Sequence, residues 1–369
     1  MSSTPFDPSQ ANIFGQADFE KITSLVSAEF QVEESVLEHG IPTYVLKEPQ
    51  ETKQAFLGLL EKLKPDGLIA ILRRIDGKIT LKVIAKPPVK PSNIWINWVL
   101  FFATIATTYV TGYILSENLT DPLIGGAAFT IAIMTVLGMH EMGHKLTANR
   151  EGIDATPPYF IPGPPPIGSF FGIGTFGAVI MQKSLPPNKD ALFDIGANGP
   201  LLGFILALAT SVVGLLISPI YPITGPINSI QAPLFFDLFV VFAMHVPDNY
   251  YIALHPVAIA GWVGMLVTTL NLLPAAMLDG GHVARSLFGE RTRLVFTLLS
   301  VAFLLITDFW PMAIFVIFLS MYKHPGPLDD VSSLSTGRKI RAVVLVAVFV
   351  LCSYLHSYVL ALLQFLTGG

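Results

Sequence analysis

The sequence predicts a polytopic α-helical membrane protein of about seven transmembrane helices, preceded by a small α+β soluble domain. Three observations predict it. Hydrophobic residues make up 52% of the 369 positions and charged residues only 13%, where soluble proteins carry roughly 25% charged. The mean hydropathy is +0.61. The charges are also unevenly placed. Residues 1–92 hold 11 of the 22 Lys and Arg and 12 of the 26 Asp and Glu, so a soluble head precedes an apolar body.

Taken in order, residues 1–17 read as a disordered tail. Residues 1–28 have no basic start followed by an apolar run, so no signal peptide is expected there, and the first apolar span is expected to be retained as an anchor. Residues 18–86 read as a small cytosolic α+β domain. Stretches 19–30 and 52–63 have helix-like apolar spacing. Leu68–Ile75 and Lys78–Ala85 are β-rich runs joined by Asp76-Gly77, a strong hairpin signal. A weaker strand lies near 42–47. Residues 87–92, with Pro87, Pro88 and Pro91, form a stiff linker. The transmembrane domain is then 93–369.

A span needs about 20 apolar residues. The candidates are 95–115, 123–146, 191–217 and 256–273, then two short ones at 295–306 and 311–321 that could begin nearer Arg291 and Asp308, and finally 343–366. The apolar piece at 234–244, in the loop 218–250, is too short to cross. Loop charge tests this count. With the N-terminus in the cytosol, all 22 Lys and Arg fall on the cytosolic side, and the outer loops hold none. That is a positive-inside pattern. The single cysteine, Cys352, permits neither an internal disulfide nor a cysteine metal site.

The chemistry sits in the second span, at His140-Glu141-Met142-Gly143-His144. Histidines at i and i+4 share a helix face and can hold one zinc ion. Glu141 is placed to act as general base toward water activated there. Three ionisable residues within five positions of a membrane helix are costly and mark function. Catalytic zinc wants a third protein ligand. Glu151, Asp154, Asp190, Asp194, Asp279, His282 and His324 are candidates on the cytosolic side, and spacing alone does not choose among them. Asp279 has the best local context. Asn271-Leu272-Leu273-Pro274 ends the fourth span, and Leu278-Asp279-Gly280-Gly281 supplies non-helical backbone of the kind tolerated at membrane depth only around a cavity. Asp190 and Asp194 read as helix-start groups.

These motifs resemble the site-2 protease family of intramembrane zinc metalloproteases. His140–His144 is similar to the family's His-Glu-x-x-His and Leu278–Gly280 to its Leu-Asp-Gly. Between them, 177–180, 196–200 and 271–274 are similar to its intermediate patterns. The stretches 255–271 and 324–330 resemble the archaeal, cyanobacterial and plastid branch. No PDZ domain is evident. The likeness covers roughly residues 120–335.

The resemblance implies that His140, His144 and Asp279 hold Zn2+, that Glu141 is the general base, and that Asn271 holds the substrate backbone or steadies the oxyanion. It implies a three-helix catalytic core, about 120–285, made by the second to fourth spans. It also supports reading 170–181 as an edge strand or hairpin that captures an unwound substrate by β-augmentation, with Phe170, Gly172, Gly174 and Gly177 as binding positions. The alternative is a re-entrant loop that plugs the bundle.

The implied function is hydrolysis of peptide bonds in transmembrane segments, as in regulated intramembrane proteolysis. The expected partners are a single-span protein substrate and the lipid bilayer, with no nucleic acid, and the head is a candidate docking site for a regulator or a substrate tail. The expected location is a prokaryotic cell membrane. Two other classes use similar residues: a membrane ion or metal transporter, against which the lack of an inverted repeat counts, and a catalytically inactive membrane adaptor, which the intact Glu141 disfavours.

Overall fold

The computed structural model describes residues 14–88, 91–168, 172–226, 230–307, 309–322 and 324–354. It contains two compact units. One comprises Met1–Lys90, Ser184–Leu192 and Pro325–Ser335, and the other comprises Pro91–Lys183, Phe193–His324 and Thr336–Gly369.

In the first unit, α1 (Gln16–Ser27) and α2 (Lys53–Leu63) accompany an antiparallel sheet of order β1-β2-β4-β3, made of β1 (Val32–Glu38), β2 (Ile41–Leu46), β3 (Leu68–Ile75) and β4 (Lys78–Ala85). The β3–β4 hairpin has the bounds read from the sequence. Asp76 and Gly77 both take positive φ, 50° and 83°, as the tight turn between twisted strands requires. β1 was not legible in the sequence. Its run Val-Glu-Glu-Ser-Val-Leu-Glu is mostly exposed, and it lies at the sheet edge, where charge discourages further pairing. α1 opens at Gln16, inside the stretch expected to be a disordered tail. There the Gly15 amide donates to the Asp18 carboxylate (3.2 Å) and the Phe14 amide to the Gly40 carbonyl (3.0 Å). Residues 1–13 lie outside the described residues.

This unit is larger than the 18–86 domain expected. The Leu72 amide donates to the Leu328 carbonyl (2.9 Å) and the Asp330 amide to the Leu72 carbonyl (3.2 Å). The Leu328 and Asp329 amides in turn donate to the Pro186 and Pro187 carbonyls. Two distant segments thus extend the β3 edge. Leu328 belongs to the same buried core as Phe56, Leu59, Leu72 and Leu81. Asp329 is fully buried and accepts from the Val331 and Ser332 amides (2.8 and 3.0 Å). Lys53 pairs with Asp190 at 3.1 Å.

The second unit is helical. α3 (Ile94–Ser116), α4 (Pro122–Arg150) and α5 (Lys189–Leu216) are long and apolar enough to cross a membrane. The chain is therefore a mostly helical membrane protein with three long apolar helices. Asp121 caps α4, accepting from the Leu123 and Ile124 amides, and Pro122 follows at a position where no amide is needed. The segment between α5 and α7 holds β7 (Ile220–Pro222), α6 (Leu234–Phe239), a π turn at Val240–Met244 and β8 (Tyr250–Ile252), with β7 and β8 paired antiparallel. Then come α7 (Pro256–Leu272), α8 (Asp279–Ile306), α9 (Trp310–Ser320) and α10 (Thr336–Cys352).

Two expectations change here. The fifth apolar stretch is only the second half of α8, which begins at Asp279 and breaks at Gly289 (φ 82°, ψ −177°). The glycines near its start made its first turn look like loop. α10 starts at Thr336, before the apolar stretch 343–366, and residues 355–369 lie outside the described residues.

The segment between α4 and α5 forms a hairpin. β5 (Tyr159–Pro162) pairs antiparallel with β6 (Thr175–Val179), Phe160 opposite Ala178. Phe160 packs edge-on to Phe101 of α3, with ring centroids 5.3 Å apart. The Thr107 hydroxyl of α3 donates to the Gly174 carbonyl at 2.6 Å. β6 has a strand on one side only, so its other edge is free of a strand partner among the described residues.

Candidate metal centre

His140 and His144 stand one turn apart on α4, and the Asp279 carboxylate at the start of α8 meets them. His140 Nε2 is 3.2 Å and His144 Nε2 3.3 Å from Asp279 Oδ2, and the two Nε2 atoms are 3.2 Å apart. Both histidines are buried. The His144 tautomer follows from its surroundings. Its Nδ1 lies 2.8 Å from the Ile195 carbonyl, which can only accept, so Nδ1 carries a hydrogen and, in the neutral ring that ligates a metal, Nε2 presents a lone pair. A lone pair and a carboxylate oxygen aimed at the same small space, with a second imidazole beside them, fit a divalent cation. The backbone carbonyl that fixes the ring is the usual outer support of a ligating histidine.

The helix α5 makes this arrangement possible by what it lacks. Gly196, Gly199 and Gly203 lie on one face at i, i+3 and i+7. A Cβ on Gly199 would overlap the His144 ring, one on Gly203 would stand 2.8 Å from His140 Nδ1, and one on Gly196 would stand 2.6 Å from the Asp279 carbonyl. Reciprocally, a Cβ on Gly143 would stand 2.5 Å from the Asn198 carbonyl. Gly196 and Gly199 are in the motif read from the sequence, but Gly203 is not. Glycines at i, i+3 and i+7 in an otherwise apolar helix are the signal that was available. Asn198, also unassigned earlier, donates to the Thr147 hydroxyl (2.9 Å), tying α5 to the C-terminal turn of α4.

Most of the other candidates for third ligand are occupied elsewhere. Asp194 pairs with Arg338 (2.5 Å) and Arg341, and Asp190 takes Lys53 and the Ser335 hydroxyl. Glu151 caps the end of α4. His282 and His324 pair with each other, Nδ1 to Nε2 at 2.8 Å. Among the described residues, only His140, His144 and Asp279 form a group of three that could hold a metal ion.

A cleft of about 250 Å³ opens on the centre, lined by Glu141, Asn271, His282, Ala178, Val179 and Ile180 among others. Glu141 is buried beside the three donors, and Ile180 shares the cleft wall with it. Asn271 Nδ2 lies 3.5 Å from His140 Nε2. The glycines proposed for substrate binding part ways. Gly174 is pinned under α3: its φ is +74°, and a Cβ would stand 2.6 Å from the Thr107 carbonyl. Gly172 abuts the Pro165 carbonyl. Gly177, at φ +100°, has open space around it. Phe170 lies outside the described residues.

Residues 128–307, which hold the helical body around the buried centre, match the family model described as "Peptidase family M50". The chain is 31% identical over 232 residues to "Probable zinc metalloprotease EGY1, chloroplastic" of Oryza sativa subsp. japonica, covering 59% of this chain and 38% of the relative. It is 33% identical over 220 residues to "Probable zinc metalloprotease EGY2, chloroplastic" of Arabidopsis thaliana, covering 58% and 37%. It is 26% identical over 304 residues to the Arabidopsis thaliana protein named EGY1, covering 72% and 54%. The site-2 protease resemblance carried by the motifs is shown by these matches. The chain spans between about a third and just over half the length of these curated relatives. No solved structure matches it.

Proposed function

We propose that this protein is an intramembrane zinc endopeptidase that hydrolyses peptide bonds in transmembrane segments. The observation that carries the reading is the convergence of His140, His144 and Asp279 with Glu141 beside them. His140, His144 and Asp279 would hold the zinc, which supplies Lewis acidity that acidifies water and polarises the scissile carbonyl. Glu141 takes the proton from attacking water and returns it to the leaving amine. Asn271, on the cleft wall, donates to a substrate carbonyl. The free edge of β6 takes an unwound substrate strand, and its residues Ala178 and Val179 present that strand to the cleft. The zinc assignment is also supported by the printed names of the relatives, and the transporter and adaptor readings find no such support.

The substrate class is a single-span membrane protein. Seven spans are read as α3, α4, α5, α7, the second half of α8, α9 and α10, with the N-terminus cytosolic. Co-folding of 1–90 with 184–192 and 325–335 in one unit supports this, because segments of one soluble unit lie on one side of a bilayer. Two spans separate the first pair and four the second, both even numbers. Loop charge favours the cytosolic side.

The deciding experiment is Glu141→Gln, assayed for bound zinc and for cleavage of a single-span model substrate. Retained zinc with cleavage reduced on the order of 10²-fold or more is expected. Undiminished cleavage removes Glu141 as the base. A wild-type protein that binds no zinc refutes the enzyme reading as a whole.

A further inference from the structure

Arg293 has the least exposed side chain of any Lys or Arg among the described residues, at 1% relative accessibility, and nothing in the proposed chemistry uses it. A buried guanidinium is costly unless its hydrogen bonds are met by fixed partners. Here they are. Its Nε and Nη2 meet the two oxygens of Glu290 at 3.0 and 2.6 Å, and its Nη1 donates to the Ala276 carbonyl at 2.9 Å.

Ala276 is the unusual partner. It lies in the reversal between α7 and α8 at φ +45°, the left-handed region that a residue with a Cβ adopts only under constraint. The constraint comes from the second half of α8. Arg293 takes the Ala276 carbonyl, and the Thr297 hydroxyl accepts the Ala276 amide at 3.0 Å while donating to the Arg293 carbonyl at 2.9 Å. Both polar groups of one strained residue are thus held from one helix. The rest of the reversal is tight. The Leu278 amide donates to the Ala275 carbonyl at 3.0 Å, and a Cβ on Gly281 would stand 2.5 Å from the Ala275 and Ala276 carbonyl oxygens. Asp279 follows three residues after Ala276 and opens α8, so the conformation of this reversal sets where its carboxylate falls.

We propose that Arg293 is a positioning residue for the Asp279 carboxylate, acting through the left-handed turn at Ala276 with Thr297 as its companion. The proposal rests on the reading of Asp279 as a zinc ligand. It assigns a specific reason to a buried charge on a helix remote in sequence from the histidines.

Arg293→Met removes the brace and leaves Glu290 with Arg285, 3.2 Å away. Zinc affinity by chelator competition, and the visible absorption of the Co2+-loaded protein, read the result without reference to activity. A drop in affinity of about 10–100-fold is expected, the usual range for loss of an outer support, together with an altered cobalt spectrum. Adding Ala276→Gly, which makes the left-handed turn free of strain, is expected to restore most of the affinity. Wild-type affinity and spectrum in Arg293→Met overturn the proposal. Equal loss with and without Ala276→Gly overturns the turn as its route. Thr297→Val, a milder change, carries the same measurements if Arg293→Met does not fold, and wild-type metal binding in it counts against the proposal. Failure of the wild-type protein to bind either metal refutes the zinc reading instead.

Discussion

Each donor of the centre is fixed by a neighbour whose contribution is shape or one hydrogen bond. Gly199 is the sharpest case, because any side chain there occupies the space of the His144 imidazole. Gly199→Ala is expected to cost about 1–3 kcal/mol by overpacking and to lower zinc content sharply, measured by thermal unfolding and metal analysis. Gly225→Ala, with nothing within 4 Å, is the matching control and should change neither. Asp194 offers the converse test. It sat among the ligand candidates by sequence, yet its carboxylate faces Arg338 and Arg341. Asp194→Asn is expected to lower stability by about 1–3 kcal/mol, discounted because both arginines are partly exposed, while zinc content stays at the wild-type level.

At the scale of the element, the β5–β6 hairpin separates two jobs that its glycines share. Gly174 fastens the hairpin to α3 through the Thr107 hydroxyl, and a larger residue would push into the α3 backbone. Gly177 faces open space on the strand whose next residues, Ala178 and Val179, line the cleft. Gly174→Val is therefore expected to detach the hairpin and lower stability along with cleavage. Gly177→Val is expected to slow cleavage of a membrane-embedded substrate while zinc content and unfolding temperature hold. Equal loss of zinc and cleavage in Gly177→Val would remove the strand from substrate capture. α8 shows a second element-level device: Gly289, at φ 82°, breaks the helix, and Arg293 in the portion after the break secures the reversal that precedes its own first residue, Asp279.

At the scale of the whole molecule, the α+β head is built from three separated stretches of chain. Leu328, far from the head in sequence, is buried in its core with Phe56 and Leu72. Leu328→Ala is expected to destabilise that unit by about 2–5 kcal/mol, seen as faster proteolysis within residues 14–88. An unchanged digestion rate would show that 325–335 is dispensable to it. The proposed topology has its own test in a Cys352→Ala background. A cysteine replacing Glu33 should react with an impermeant maleimide only after the membrane is opened. One replacing Asn249 should react in sealed, right-side-out vesicles. The reverse result inverts the orientation.

The sequence by itself determined the membrane character, the β3–β4 hairpin, the cores of α3, α4, α5 and α7, and the pair His140 and His144. These depend on composition, on the local turn chemistry of Asp76-Gly77, and on the i, i+4 geometry of a helix. Glu141 came with them for the same reason. The bounds of α8 and the strand β1 were not legible, because glycines at a helix start resemble a loop and an acid-rich edge strand has no apolar face to alternate. The meeting of Asp279 with the histidines, the separation of Gly174 from Gly177, the glycine face of α5, the brace at Arg293 and the capture of Leu328 by the head were decided only by the tertiary structure. Each is a contact between residues far apart in the chain, set by packing and by the pairing of buried polar groups, and local pattern carries no record of such partners.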